Sequence, residues 1–288
     1  MFAPYVIITP ARNEAATIEA TIQAVVQQTT LPAEWVIVCN GCNDGTSDIV
    51  RKWARQHPFI RLLHLPGPLQ NSFADVVHAT EYGYVKLQCT HYRFIGLLDA
   101  DLRFAGDYFE KLIGRLEENP RLGLVGGLVV DVVAGRRLAQ RQYLNDIAGA
   151  TQFYRRECFE SLGGLVAIPE GGWDSLTCLQ ARSHGYETRT FPDLIVVHLK
   201  PRNARDGNVL RRKWKMGVRE YAVGNHPVFQ LLKCAVRCFE YPFLIGALTR
   251  WLAFCWCYVT RRPRALSFEL VSLVRGEQIR RLTRGYFR

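Results

Sequence analysis

The sequence has no second cysteine pair to match Cys39-x-x-Cys42 and no His-x₃-His near it, so that spacing alone does not make a zinc site or a redox centre. The nine cysteines are odd in number and irregularly placed along 288 residues, which argues against a disulfide scaffold. There is no internal repeat and no low-complexity segment, so a solenoid or a biased linker is excluded. No basic stretch precedes the apolar residues 5–9, so no signal peptide is expected, and a reducing, cytosol-facing location follows as the working expectation. No uncharged apolar run reaches the ~20 residues that a spanning helix needs. With 48% hydrophobic and 22% charged residues, what remains is a chain able to bury a sizeable core, not a disordered one.

Charge is unevenly shared. Residues 1–200 hold 19 basic and 21 acidic side chains, whereas residues 201–288 hold 18 basic and 5 acidic, so the overall +11 belongs to the last part of the chain. Two domains are expected: a catalytic or binding domain over 1–200, and a basic, apolar, helical region over 201–288.

Short apolar runs alternate with helical periodicity through the first 130 residues. Strands are expected at 5–9, 35–39, 60–63, 94–98 and 122–130, and helices at 13–28, 46–56, 73–88 and 107–118. Beyond them, helices are expected at 155–162 and 174–184, followed by two short strands up to His198. The β-α-β-α order predicts an α/β fold with a mostly parallel sheet covered on both faces. Ligands of such sheets bind beyond the carboxyl ends of the strands. The loops after residues 9, 39 and 98 are therefore the ones to read.

The strand 94–98 runs into Asp99-Ala100-Asp101. Two carboxylates there suit a hard cation such as Mg²⁺ or Mn²⁺ bridging to a phosphate; an ordinary acidic turn is the other reading. The loop Pro10-Ala-Arg-Asn-Glu14 places Glu14 in the first turn of the expected helix, where the dipole favours a carboxylate. The loop Cys39-Asn-Gly-Cys-Asn-Asp-Gly-Thr46 allows positive φ and ends in a residue able to cap the next helix. Each loop could be a simple turn, but together they put three polar loops on one rim. Asp174 follows two glycines, which let a substrate approach the backbone, and it opens a helix; it reads as either a general base or a plain N-cap. His198 ends a strand and reads equally as a metal ligand or as a histidine satisfied by backbone. Arg155-Arg156 could reach a phosphate bidentately, but a solvated helix face is the preferred reading.

These residues carry a resemblance. Residues 6–14, 36–49 and 97–101, continuing through Gly149-Ala-Thr-Gln-Phe-Tyr-Arg-Arg156, Gly163-Gly164 and Gly171-Gly-Trp-Asp174, resemble a family 2 glycosyltransferase of the GT-A fold over about two-thirds of the chain. The resemblance implies a Rossmann-like sheet and a nucleotide-diphosphate sugar donor held by Pro10, Ala11, Arg12, Glu14, Asn40, Asp99 and Asp101. It implies a divalent metal, Mn or Mg, on Asp99 and Asp101, completed by His198 as in some metal-dependent relatives, and Asp174 as the base of an inverting transfer. The sequence departs from the family pattern at Cys39 and Asn40, which stand where two aspartates are usual. It departs again at Glu81, where Asn is usual, in the absence of Lys between 67 and 83, and at Trp173, where an acidic residue usually precedes the base.

The apolar stretch 243–259 contains Arg250 at its middle, which disfavours crossing the bilayer. Trp251, Trp256 and Tyr258, followed by Arg261, Arg262 and Arg264, suit the boundary between water and anionic lipid. A membrane-associating extension lying in the interface, either alone or as a shallow hairpin with 231–239, is expected, with a buried helix in a soluble cap as the alternative. The expected partners are thus the donor, a saccharide or lipid-linked acceptor and a membrane surface at its cytoplasmic face. No nucleic acid is expected, because no groove-reading motif accompanies the charge. Two other classes compete with transfer: a scaffold that binds nucleotide sugar without turnover, and nucleotidyl transfer on the same fold. The latter lacks a Gly-rich, basic phosphate loop after strand one.

Overall fold

A computed structural model describes residues 3–67, 72–133, 136–139, 143–200 and 208–283. Its elements run β1 (Tyr5–Ala11), α1 (Ile18–Val26), β2 (Glu34–Cys39), α2 (Thr46–Gln56), β3 (Ile60–His64), α3 (Ala74–Val85), β4 (Phe94–Leu98), β5 (Leu102–Phe104) and α4 (Tyr108–Glu118). They continue through β6 (Leu122–Val133), β7 (Arg136–Ala139), β8 (Thr151–Arg155), α5 (Arg156–Ser161), α6 (Trp173–Ser183) and β9 (Glu187–His198). Four helices follow: α7 (Val209–Ala222), α8 (Pro227–Val236), α9 (Ile245–Val259) and α10 (Phe268–Thr283).

The strands form one sheet in the order β3-β2-β1-β4-β8-β6-β9-β5, with β7 on β6. β1, β2, β3 and β4 pair in parallel. β8 runs antiparallel to both β4 and β6, and β5 antiparallel to β9. The sheet is therefore mixed, not mostly parallel. Helices separate the first four strands and permit parallel crossovers, but only three residues separate β4 from β5, too few for a crossover.

Strand alternation divides the core. Tyr5 and Ile7 of β1 and Phe94 and Leu98 of β4 face one side, packed with Ile22, Phe109 and Leu112. Val6, Ile8, Ile95 and Leu97 face the other, packed with Phe159, Trp173 and Cys178. Gly96 is small because a Cβ there would lie 3.2 Å from the Phe153 ring.

The two short strands expected before His198 are the single strand β9. Its pairing with β6 skips from Gly127↔Phe191 to Leu128↔Ile195, so Pro192-Asp193-Leu194 bulges out. In sequence, that bulge reads as a break. A Cβ at Gly127 would lie 2.4 Å from the Leu194 carbonyl oxygen, so only glycine fits beside the bulge.

Helix α1 begins at Ile18, later than expected, because Asn13 takes a left-handed φ of 54° and residues 14–17 form a turn. Helix α4 stops at Asn119, whose extended backbone precedes Pro120.

Two compact units make up the chain: residues 1–71, 75–167 and 173–202 in one, and 72–74, 168–172 and 203–288 in the other. The second unit is helical and is organised by a buried ionic cluster. Glu220 accepts from Arg250 Nε at 2.7 Å, Lys233 Nζ at 2.8 Å and Gln230 Nε2 at 2.6 Å. Arg250 is 3% exposed, so it lies inside the protein instead of at a lipid boundary. Helix α7 approaches closely at Gly217, where a Cβ would lie 2.2 Å from the Arg250 carbonyl oxygen. Among the described residues, no helix is long and apolar enough to cross a membrane.

Candidate active site

Two loops at the carboxyl ends of β1 and β2 are stitched together. The Asn40 amide donates to Ala11 O at 2.9 Å, and the Glu14 amide to Thr46 Oγ1 at 2.8 Å. Asp44 joins both loops, accepting from the Ala15 amide at 3.0 Å and the Thr46 amide at 3.1 Å. Those bonds hold its carboxyl below the usual range, the Thr46 hydroxyl contributing most. Thr46 was expected to cap α2, but it is the first helical residue, after Gly45 at φ 89°. Glu14 is not in the first turn of α1. It sits one turn earlier, accepts from Thr17 Oγ1 at 2.8 Å and pairs with Lys200, whose Nζ also donates to Asn13 O at 3.2 Å.

Of the other residues expected to bind nucleotide, Pro10 and Ala11 lie within β1, and Ala11 is buried opposite Cys39. The Arg12 guanidinium lies 3.6 Å from Asp75, and the Asn40 side chain donates to the Asp75 carbonyl at 3.4 Å. Asp75 is buried and was not singled out from sequence; its signal was an acidic residue in the first turn of α3. Cys42 donates to Ala11 O at 3.4 Å, and its hydrogen bond with the Cys39 thiol brings it down to about 7. The Cys39-x-x-Cys42 pair therefore belongs to the turn between strand and helix.

The metal-type residues converge. Asp99, Asp101 and His198 each offer one ligand atom, and these atoms lie within 4.8 Å of one another. The register explains it: His198 is opposite Leu102 of β5, so Asp101 arrives beside the imidazole. His198 Nε2 is 3.3 Å from Asp101 Oδ2, and the Asp101 carbonyl accepts from the Leu199 amide at 2.8 Å. Two carboxylates and an imidazole, two of them buried, are a donor set that fits a divalent cation such as Mn²⁺. Asp131 was not expected at this site. Parallel pairing of β6 with β9 sets it opposite His198, with Oδ1 3.1 Å from Nδ1. Sequence offered no signal for it, since the register across the bulge decides the pairing.

Asp174 is the second residue of α6, not its N-cap. Its Oδ2 accepts from the Gly149 amide at 3.3 Å and its Oδ1 from the Ser175 amide at 2.9 Å. Gln152 Nε2 donates to the Asp174 carbonyl at 3.2 Å. Glu81, which stands where the family usually has Asn, accepts from the Leu165 amide at 3.0 Å and so braces the loop after α5. Arg155 is not on a solvated face: it donates to the carbonyls of Leu122 and Leu116 and ties β8 to α4 and β6. Arg156 is the solvated partner, paired with Glu160 at 2.7 Å.

The sequence model of glycosyl transferase family 2 matches residues 6–164. Glycosyltransferase AglD of Haloferax volcanii is 26% identical over 236 residues, covering 74% of this chain; the match spans 37% of AglD's length. Among solved structures, the mannosyltransferase PcManGT from Pyrobaculum calidifontis, in complex with GDP-Man and Mn²⁺, superposes with a TM-score of 0.61 at 20% identity. That match covers 99% of this chain and 82% of the other. S. aureus TarS 1-349 with UDP-GlcNAc gives 0.55 at 14% identity, over 76% and 66%. These likenesses establish the GT-A fold, and with the family match over more than half its length the chain belongs to glycosyl transferase family 2.

Proposed function

We propose that the protein is an inverting, metal-dependent glycosyltransferase that moves a sugar from a nucleotide-diphosphate donor to a hydroxyl acceptor. The observation that carries this reading is the convergence of Asp99, Asp101 and His198 within 4.8 Å, at the strand ends where the fold receives ligands. The cation held there would neutralise the charge that builds on the departing diphosphate. Asp174 takes the proton of the acceptor hydroxyl, whose oxygen forms a bond to the anomeric carbon. The bond from that carbon to the diphosphate oxygen breaks, its electron pair leaves with the nucleoside diphosphate, and the sugar is inverted. The two backbone amides on Asp174 fix the direction of its carboxylate. The nucleoside part of the donor would rest on the stitched loops at Pro10, Ala11, Arg12, Glu14 and Asn40.

The acceptor belongs at a membrane surface in this reading. Helix α9 turns Gly246, Arg250, Ala253, Phe254 and Cys257 inward and leaves Ile245, Leu248, Leu252, Trp256 and Val259 exposed. Exposed apolar residues at that spacing, in a region carrying 18 basic and 5 acidic side chains, support docking on anionic lipid. Trp251 does not join that face; it packs against Phe254.

The test is incubation of the purified protein with nucleotide-diphosphate sugars, Mn²⁺ and lipid-linked or saccharide acceptors. Release of nucleoside diphosphate with an inverted product is expected. Donor binding without any turnover would favour the scaffold, and release of pyrophosphate would favour nucleotidyl transfer.

A further inference from the structure

We propose that Asp131 is a positioning residue for the cation site, holding His198 so that Nε2 is the atom presented between Asp99 and Asp101. The inference rests on reading those three residues as metal ligands. Three neighbouring strands converge on the imidazole. β9 carries His198, β6 sets Asp131 opposite it, and β5 sets Leu102, and with it Asp101, on its other side.

The contacts assign the two ring nitrogens to different tasks. Nδ1 is 3.1 Å from Asp131 Oδ1 and Nε2 is 3.3 Å from Asp101 Oδ2. An ionised carboxylate accepts hydrogen bonds and donates none, so the hydrogen shared with Asp131 resides on Nδ1. In the neutral ring, Nε2 then carries the lone pair and faces the two aspartates. A lone pair opposite an ionised carboxylate at that distance is an unfavourable pair of acceptors, relieved when a metal ion or a proton lies between them. Asp131 thus selects the tautomer and the ring orientation and makes the nitrogen a better donor to the metal. A carboxylate behind a metal-bound histidine has these effects generally, and its loss costs about 10–100-fold in metal affinity. The histidine is 7% exposed and comes from the end of a strand, so the ring is held by packing as well as by this bond.

Mn²⁺ alone, without nucleotide, is the probe. Binding is titrated by the electron paramagnetic resonance signal of free Mn²⁺, and nitrogen ligation is read from the ¹⁴N modulation of the bound ion. The full-length chain is compared with Asp131→Asn and Asp131→Ala, each at a temperature where its melting curve shows it folded. The expected order of affinity is wild type, then Asn, then Ala. Asn should fall between because its amide oxygen accepts from Nδ1 without charge, and about 10–100-fold should separate the extremes. The ¹⁴N coupling should be full in the wild type and weak or missing in Ala. A purely structural role would shift the melting temperature and leave both readouts unchanged. If the wild type shows bound Mn²⁺ with ¹⁴N coupling and the variants match it, the role of Asp131 is overturned while the metal site stands. If the wild type binds no Mn²⁺, both readings fall. Should Ala not fold, the comparison with Asn decides.

Discussion

Asp99 and Asp174 are fastened to consecutive residues of one loop. The Asp99 amide donates to Ala150 O at 3.1 Å, and the Gly149 amide donates to Asp174 Oδ2 at 3.3 Å. The residue read as metal ligand and the residue read as base therefore share one short strut, although one follows β4 and the other lies in α6. The strut is tight: a Cβ at Gly149 would lie 2.9 Å from the Trp173 ring and 3.2 Å from Asp174 Cβ. Gly149→Ala should displace the Asp174 carboxylate and lower kcat by about tenfold or more, since small misplacements near reacting atoms are costly. Donor affinity, measured by calorimetry, should change little. An unimpaired Gly149→Ala enzyme would show that the strut does not position the base.

Asp174→Asn keeps the shape of the side chain and its place in α6 but removes the proton acceptor. Turnover should fall about 10²–10⁴-fold with donor affinity nearly intact. Steady-state assays beside donor calorimetry make the comparison. Retained turnover would return Asp174 to a role in holding Gly149.

Asp101→Ala removes one of the two buried ligand-type residues at the cation site. Calorimetry in Mn²⁺ should show donor affinity reduced to its metal-free level, and chelation of the wild-type protein should do the same. Equal donor affinity with and without Asp101 would remove this cluster from the donor site.

The buried Glu220 cluster makes a stability prediction with a sign. Burial pushes the Glu220 carboxyl up, but the Lys233 charge and the hydrogen-bonded Arg250 outweigh it and hold it at about 2, against an ordinary value of 4.5. A group depressed in the folded state contributes fully above its unfolded value and loses that contribution as pH falls. The melting temperature should therefore drop between pH 4.5 and 2 in part through Glu220. Glu220→Gln strands the buried Arg250 charge and removes the partner of the half-buried Lys233, and should cost about 3–5 kcal/mol at neutral pH. It should also flatten the acid limb of the melting profile. A variant as stable as the wild type at pH 7 would contradict this account.

Membrane docking by the outer face of α9 is tested on the full chain with Leu252→Glu and Trp256→Glu. Both side chains are half exposed, so the changes leave the buried ionic cluster untouched. The wild type should float with anionic vesicles, less so at high salt, because screening removes the electrostatic share and spares the apolar one. The double variant should float less than the wild type, most clearly at high salt, where the apolar share is all that remains. If it floats as well as the wild type, this face does not meet lipid.

Local chemistry was legible in the sequence where the period and the punctuation were strong. The strand 94–98 and the helix 46–56 match the observed elements, because a five-residue apolar run is too short for a helix and an amphipathic run of eleven has the helical period. Asp99 and Asp101 were visible as ligand candidates because chain continuity alone sets them at a strand end. Tertiary structure decided what depends on pairing between distant strands. The antiparallel insertion of β8 between β4 and β6, the bulge at 192–194 that makes β9 one strand, and Asp131 opposite His198 follow from register, which a single strand's pattern does not contain. Arg250 shows the same division: in sequence it is a charge interrupting an apolar run, and only the crossing of α7 against α9 supplies Glu220 and turns that charge into part of the core.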